Sequence, residues 1–178
     1  MRCKSGLVAL FLSTLAATLP VQPVWSQSNW LPFTPPAGQF QVELPVAPSN
    51  AEVKDHSLVG TVTTQIFTAK AEEATFSVSY SDLPALAVQF MGADGLFGQA
   101  KASLLRDQNG REISFSPATL NGLSGKRLLY AVNVDGGQRA GEAFLVLNGT
   151  RLYVLDALVS PGAEMLAQKF FQSFQLRD

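Results

Sequence analysis

From Gln39 to Leu44 the chain alternates, with Phe40, Val42 and Leu44 on one side and Gln39, Gln41 and Glu43 on the other. A period of two is that of a strand buried on one face. Pro45 and Pro48 stop it, and Glu52 to Val59 and Thr61 to Ala69 read as two more strands hinged at Gly60. Thr75 to Ser81 is a fourth, with Phe76, Val78 and Tyr80 inward and the serines outward. Between Pro84 and Asp107 the period lengthens. Leu86, Phe90, Leu96, Ala100, Leu104 and Leu105 fit a helix interrupted near Gly92 to Gly95, with Asp94 capping its second half and Asn109-Gly110 ending it in the left-handed conformation. Beyond Ile113 come four short apolar strands separated by Asn121-Gly122, Asp135-Gly136-Gly137 and Asn148-Gly149, the residues that supply positive φ in tight hairpins. Leu166, Phe170 and Phe174 then mark one side of a closing helix.

With Asn148-Gly149 as a two-residue loop, Leu147 pairs with Thr150, Phe144 with Tyr153, Leu145 with Leu152 and Gly141 with Asp156. Both faces of this hairpin are then apolar, Phe144, Val146, Tyr153 and Leu155 against Leu145, Leu147, Leu152 and Val154. A sheet apolar on both sides must be covered on both sides, so the fold class is α/β of the α+β type: an antiparallel sheet of about six to eight strands with helices on both faces. Asp156 is the one charge within Leu152 to Val159, and a lone buried carboxylate is costly. In this register Arg139 lies diagonally across from it on the same face, which predicts a structural ion pair between Arg139 and Asp156.

The N-terminus changes the picture of where the domain works. Arg2 and Lys4 precede an uncharged apolar run from Gly6 to Leu19, followed by Val24-Trp25-Ser26, so residues 1–26 read as a cleaved secretory signal with processing near Gln27. The run is short of the roughly 20 apolar residues a bilayer span needs; an uncleaved anchor is the rival reading. Residues 27–37 form a proline-rich lead-in that Trp30 and Phe33 pin to a single domain over 38–178. Cys3, the only cysteine, precedes the apolar run, so the mature chain has no thiol for disulfides, catalysis or metal ligation. Loss of Arg2 and Lys4 leaves 11 basic against 14 acidic residues. With no basic field, nucleic-acid binding is disfavoured, and with no apolar segment after the signal the mature chain is not expected to insert into a membrane.

Catalytic chemistry finds little to use. His56 is the only histidine, and its neighbour Asp55 points to the opposite face of a strand, so it reads as a solvated strand residue. Gly122-Leu-Ser-Gly125 places its second glycine one position too early for a nucleophile elbow, which leaves Ser124 as turn chemistry. Arg127 and Leu120 stand where a phosphate loop centred on Lys126 needs Ser or Thr and Gly. Gly92, Gly95 and Gly98 read as a helix kink more readily than as an anion cradle. Glu72 and Glu73, with Glu52 and Asp55, are read as solvated acids in preference to a weak cation site, and Asn148-Gly-Thr150 as a hairpin turn in preference to a glycosylation site. No catalytic residue, cofactor site or metal site is assigned.

Four stretches together carry a resemblance: Gly38-Gln-Phe-Gln-Val-Glu-Leu-Pro45, Phe76-Ser-Val-Ser-Tyr-Ser-Asp82, Arg151-Leu-Tyr-Val-Leu155 and Phe170-Phe-Gln-Ser-Phe-Gln-Leu176. Over most of Gly38 to Leu176 the chain resembles the PsbP-like superfamily, which includes the extrinsic PsbP subunit of photosystem II, many exported bacterial proteins and a Ran-binding import factor. The resemblance implies an α/β/α sandwich with a binding or assembly role and no chemistry; its motifs are structural and bring no catalytic set with them. The expected function is a non-enzymatic exported module docking on a membrane complex or envelope protein, with a photosystem among the candidates. Its compartment would be the periplasm, or the thylakoid lumen in a photosynthetic bacterium. A carrier of small apolar ligands and a hydrolase built on Asp and Glu alone are the alternatives.

Overall fold

The computed structural model describes residues 30–57, 60–135 and 137–177, with backbone alone for His56, Ser57 and Gly60. The expected signal segment and the start of the lead-in lie outside the described residues. The elements are β1 (Leu31–Phe33), β2 (Phe40–Leu44), β3 (Ser49–Ser57), β4 (Gly60–Lys70), β5 (Ala74–Asp82), α1 (Ala85–Asp107), β6 (Arg111–Leu120), β7 (Leu123–Val134), β8 (Gly137–Asn148), β9 (Arg151–Val159), α2 (Glu164–Ser173) and β10 (Gln175–Leu176). Seven strands form an antiparallel sheet in the order β3-β4-β5-β9-β8-β7-β6, and β1-β2-β10 form a small second sheet.

The alternation read in the sequence is the alternation of burial. Phe40, Val42 and Leu44 are buried with Phe76, Val78 and Tyr80, and with Val146, Tyr153 and Leu155 from the far half of the sheet. α2 closes this face through Ala167, Phe170 and Phe171, with Phe76 and Phe170 ring centroids 5.0 Å apart. Each such side chain, taken wholly out of water, contributes about 1.5–3 kcal/mol. Trp30 packs edge-on to Phe76 at 5.2 Å and Phe33 lies 5.0 Å from Phe67, so the lead-in is pinned by the two residues expected to do it. The opposite face buries Leu128, Tyr130, Val132, Leu145, Leu152 and Leu158 under Phe97, Leu104 and Leu105 of α1. Helices therefore cover both faces.

Local stops follow the turn chemistry. Gly92 breaks α1 with φ 64° and ψ 171°. Asp94, expected to cap the second half of α1, instead pairs with Lys126 at 3.0 Å. Asn109 is left-handed at φ 50°, and Gly110 N–H donates back to Leu105 O at 2.7 Å while Asn109 N–H donates to Arg106 O at 3.2 Å, the paired bonds of a Schellman end. Asn121 (φ 49°) and Gly122 (φ 86°) make a two-residue hairpin between Leu120 and Leu123.

One register departs from the sequence reading. Asn148 pairs with Arg151, so the loop is Gly149-Thr150, with positive φ (61°) only at Gly149. Leu147 stands opposite Leu152, Phe144 opposite Leu155 and Gly141 opposite Leu158. A glycine serves as well at the first central position of a type II′ turn as at the second of a type I′ turn, so the dipeptide does not fix the pairing. The shift is by two residues and leaves every side chain on the face assigned to it, which is why the hydrophobic pattern did not resolve it.

Candidate functional site

Asp156 sits in the middle of β9 on the α1 side of the sheet, with Ala143 of β8 opposite on one flank and Ser77 of β5 on the other. It is 4% exposed. The expected partner Arg139 lies four residues along β8 from Ala143, opposite Val132, and no ion pair joins it to Asp156 among the described residues. The corrected register carries Arg139 out of diagonal reach, so the pairing predicted from sequence gives way to a different arrangement. The phenol of Tyr130, on β7, donates to Asp156 Oδ1 at 2.7 Å, and the amide of Gln108, the C-cap of α1, approaches Oδ2 at 3.5 Å. Burial in this apolar face pushes the carboxyl up to about 7 from its ordinary 3.8, and the Tyr130 bond offsets part of that. Burial, reinforced by the acid beside it, raises the Tyr130 phenol well above its usual range.

Two glycines fix the phenol. Tyr130 is paired with Gly141, where an added Cβ would stand 2.2 Å from the ring carbon Cζ, so the ring lies flat over the bare backbone. On its other side Gly110 leaves similar room, a Cβ there falling 2.8 Å from Cδ2. In the register read from the sequence Gly141 faces Asp156; in the structure it faces Tyr130, whose ring takes the space that the missing side chain leaves. Tyr130, Gln108 and Gly110 were the signals missed.

A second polar knot ties the start of β9 to the lead-in. Arg151 donates Nε to Asp82 Oδ1 at 2.6 Å and a second nitrogen to Oδ2 at 2.7 Å, reaches Ala37 O at 2.7 Å, and lies 4.8 Å over the Tyr80 ring. The Asp82 bond raises the already high guanidinium value further. Tyr153 donates to Gly38 O at 3.1 Å. At the other helix, the Asn121 amide donates to Phe174 O at 2.7 Å and Phe171 O at 3.0 Å, so a hairpin tip satisfies carbonyls at the end of α2. Beside it an open groove of about 420 Å³ runs between α2 and the β6–β8 edge. Phe144 and Phe171 floor it, and the Arg127–Glu142 pair, at 2.6 Å, stands at its rim.

The other candidates stay apart. His56 pairs with Thr61 near the end of the β3–β4 hairpin, and its side chain lies outside the described residues. Ser124 is exposed on β7 opposite Thr119. Glu52 bonds Gln65 and Lys54, which hold its carboxyl below the usual range, whereas Glu72 and Glu73 lie in the β4–β5 turn. No group of three or more His, Cys, Asp or Glu among the described residues is placed to hold a metal ion. No helix among them is long and apolar enough to cross a membrane.

Exposed apolar residues concentrate on the short first segment of α1. Ala87 is its one buried side chain, while Leu86, Phe90 and Met91 are 60%, 80% and 42% exposed. Leu86 and Phe90 lie one turn apart on the same side of the helix.

No protein-family model and no curated protein sequence matches the chain. Among solved structures, it is similar to the solution structure of cyanobacterial PsbP (CyanoP) from Synechocystis at 16% identity and a TM-score of 0.57, over 91% of this chain and 98% of that one. The fold is PsbP-like. A structure from Bacteroides thetaiotaomicron aligns at 14% identity and a TM-score of 0.49, covering 83% of this chain and 48% of that one. A protein of unknown function from Pseudomonas aeruginosa aligns at 13% and 0.44, over 84% and 98%. The PsbP-like α/β/α arrangement expected from the four quoted stretches is thus present, with a central sheet of seven strands.

Proposed function

We propose that the mature chain is a non-enzymatic exported module that docks on a membrane-associated protein partner of the envelope, in the periplasm or a thylakoid lumen. The observation that carries this reading is the first segment of α1, which presents Leu86, Phe90 and Met91 outward from a helix that Gly92 sets apart from the rest. Large apolar side chains grouped on one short helix contribute binding energy that a monomer leaves unused. The likeness to cyanobacterial PsbP supports the same reading at the level of fold. A carrier of small apolar ligands is less well supported. Beneath α2 the aromatic rings are in contact, Phe76 with Phe170 at 5.0 Å and Phe144 with Phe171 at 4.9 Å, and the groove beside them is open to solvent and does not enclose a ligand.

A photo-reactive residue in place of Phe90, in the exported protein in its own envelope, tests the proposal. One or a few membrane-associated proteins should cross-link there, and Phe90→Asp should abolish their co-purification while leaving stability within about 0.5 kcal/mol. The chain is mildly acidic, with 14 acidic against 13 basic residues, so the part of the association that rests on charge should weaken as salt rises. Retention on protein-free lipid vesicles, or the same cross-links from a residue on the opposite face, would refute it.

A further inference from the structure

Asp156 is an acid in an unusual place, and its surroundings can be followed element by element. On its own strand the same face carries Val154 and Leu158. β5 offers Ser77 opposite it and Thr75 and Ser79 beyond, and β8 offers Ala143 with Gly141 and Leu145. From β7 comes the Tyr130 phenol, between Leu128 and Val132. α1 contributes Leu104, Leu105 and the Gln108 amide. The charges on the elements packed around it, and Arg151 on its own strand, which is bound to Asp82, are committed or remote. Lys101 is held by Glu112 at 2.8 Å, Lys126 by Asp94 at 3.0 Å, Arg106 and Asp107 are exposed beside each other, and Arg139 lies four residues away along β8. The carboxyl thus has one good donor, one long contact and no cation.

That arrangement suits a neutral acid and does not suit an anion. A buried carboxylate needs either a countercharge or several donors, and here neither is present, so ionisation requires water. Oδ2 faces the end of α1, where Gln108 reaches it at 3.5 Å and the Schellman turn closes at Gly110. Gly110 also rests against the Tyr130 ring, so the phenol that binds the acid and the turn that covers it touch each other. Lifting that turn would admit water to Oδ2.

We propose that Asp156, Tyr130 and Gln108 form a proton-operated latch in which the neutral acid keeps the C-terminal turn of α1, residues 104–110, seated on the sheet and loss of its proton releases that turn. The released state would uncover part of the β7–β9 face now beneath Leu104 and Leu105. The latch is independent of the docking surface at Phe90, which lies on the other side of the Gly92 break.

Hydrogen exchange of the backbone amides, corrected for the intrinsic pH dependence of exchange, tests it on the full mature chain between pH 5 and 8.5. Protection of 104–110 should fall at least tenfold further than that of α2, which loses only what the global stability loses, and in Asp156→Asn the 104–110 segment should stay protected throughout. Tyr130→Phe provides a second arm. Removing the phenol takes away the donor that favours the anion, so the transition should move to higher pH. Equal loss of protection in α2 would show a global effect and overturn the latch. So would a segment that responds to pH in Asp156→Asn as in the wild type, or a transition that Tyr130→Phe leaves in place.

Discussion

Replacing Asp156 by Asn removes the titration and keeps the shape, so the two proteins should differ in stability by an amount that depends on pH alone. In the folded chain the carboxyl is pushed to about 7, while in the unfolded chain it returns to about 3.8. A raised value means that the native state keeps a proton which the unfolded chain gives up. The stabilisation is therefore fully present below pH ~4, falls as pH rises towards 7, and is gone above it. With about 1.4 kcal/mol for each pH unit of difference, the total is of the order of 4 kcal/mol, a large share of the 5–15 kcal/mol that holds a domain folded. Glu52 and Glu164, whose carboxyls are held low by hydrogen bonds, act in the opposite sense, but they are common to both proteins and cancel in the comparison. Urea unfolding at pH 4, 5.5, 7 and 8 measures the difference. Asp156→Asn should match the wild type near pH 4 and exceed it at pH 8 by several kcal/mol. Parallel profiles over the whole range would refute the reasoning, because they would mean that the acid titrates alike in both states.

Gly141→Ala forces a methyl to 2.2 Å from the Tyr130 ring and should cost about 2–5 kcal/mol by overpacking and loss of the bond to Asp156, whereas Gly98→Ala, with open space around it inside α1, should gain up to about 1 kcal/mol. Denaturant midpoints of the two variants decide it, and equal effects would contradict the packing described. Because Asp82 is largely exposed, Asp82→Ala should cost under about 1 kcal/mol, and Arg151→Ala should cost more since the same side chain also lies over Tyr80 and holds Ala37 O. The reverse order in chemical unfolding would show that the ion pair, not the packing, matters there. Exported material should begin near Gln27 by N-terminal sequencing, and an intact Met1 in the membrane fraction would disprove a cleaved signal.

The strands were legible because a period of two and paired turn residues act over a few positions. Phe40, Val42 and Leu44, or Asn121-Gly122, carry their instructions locally. The short strands β1 and β10 were not, since three and two residues have no period of their own and exist only by pairing with β2. The site failed for a related reason. Moving Asp156 from Gly141 to Ala143 keeps every side chain on its face, so hydrophobicity cannot discriminate the two registers. Yet the move exchanges a cation for a phenol as the partner. The arrangement of Gly141 under Tyr130 depends on which strand lies beside β8 and in what offset, and that is tertiary information.

The order β3-β4-β5-β9-β8-β7-β6 implies a history as well as a shape. Every pairing in the central sheet joins chain neighbours except β5 with β9, whose ends, Asp82 and Arg151, are 69 residues apart. Two meanders can therefore zip from their turns with little loop entropy to overcome, while the join between them must close a long loop before any contact rewards it. Loop-closure entropy therefore predicts that the rate-limiting step in folding is the closing of that seam. Until it closes, β5 and β9, which become the centre of the sheet, are both unprotected edges, so the interval in which this chain is open to mispairing with another copy lasts as long as the seam takes to form.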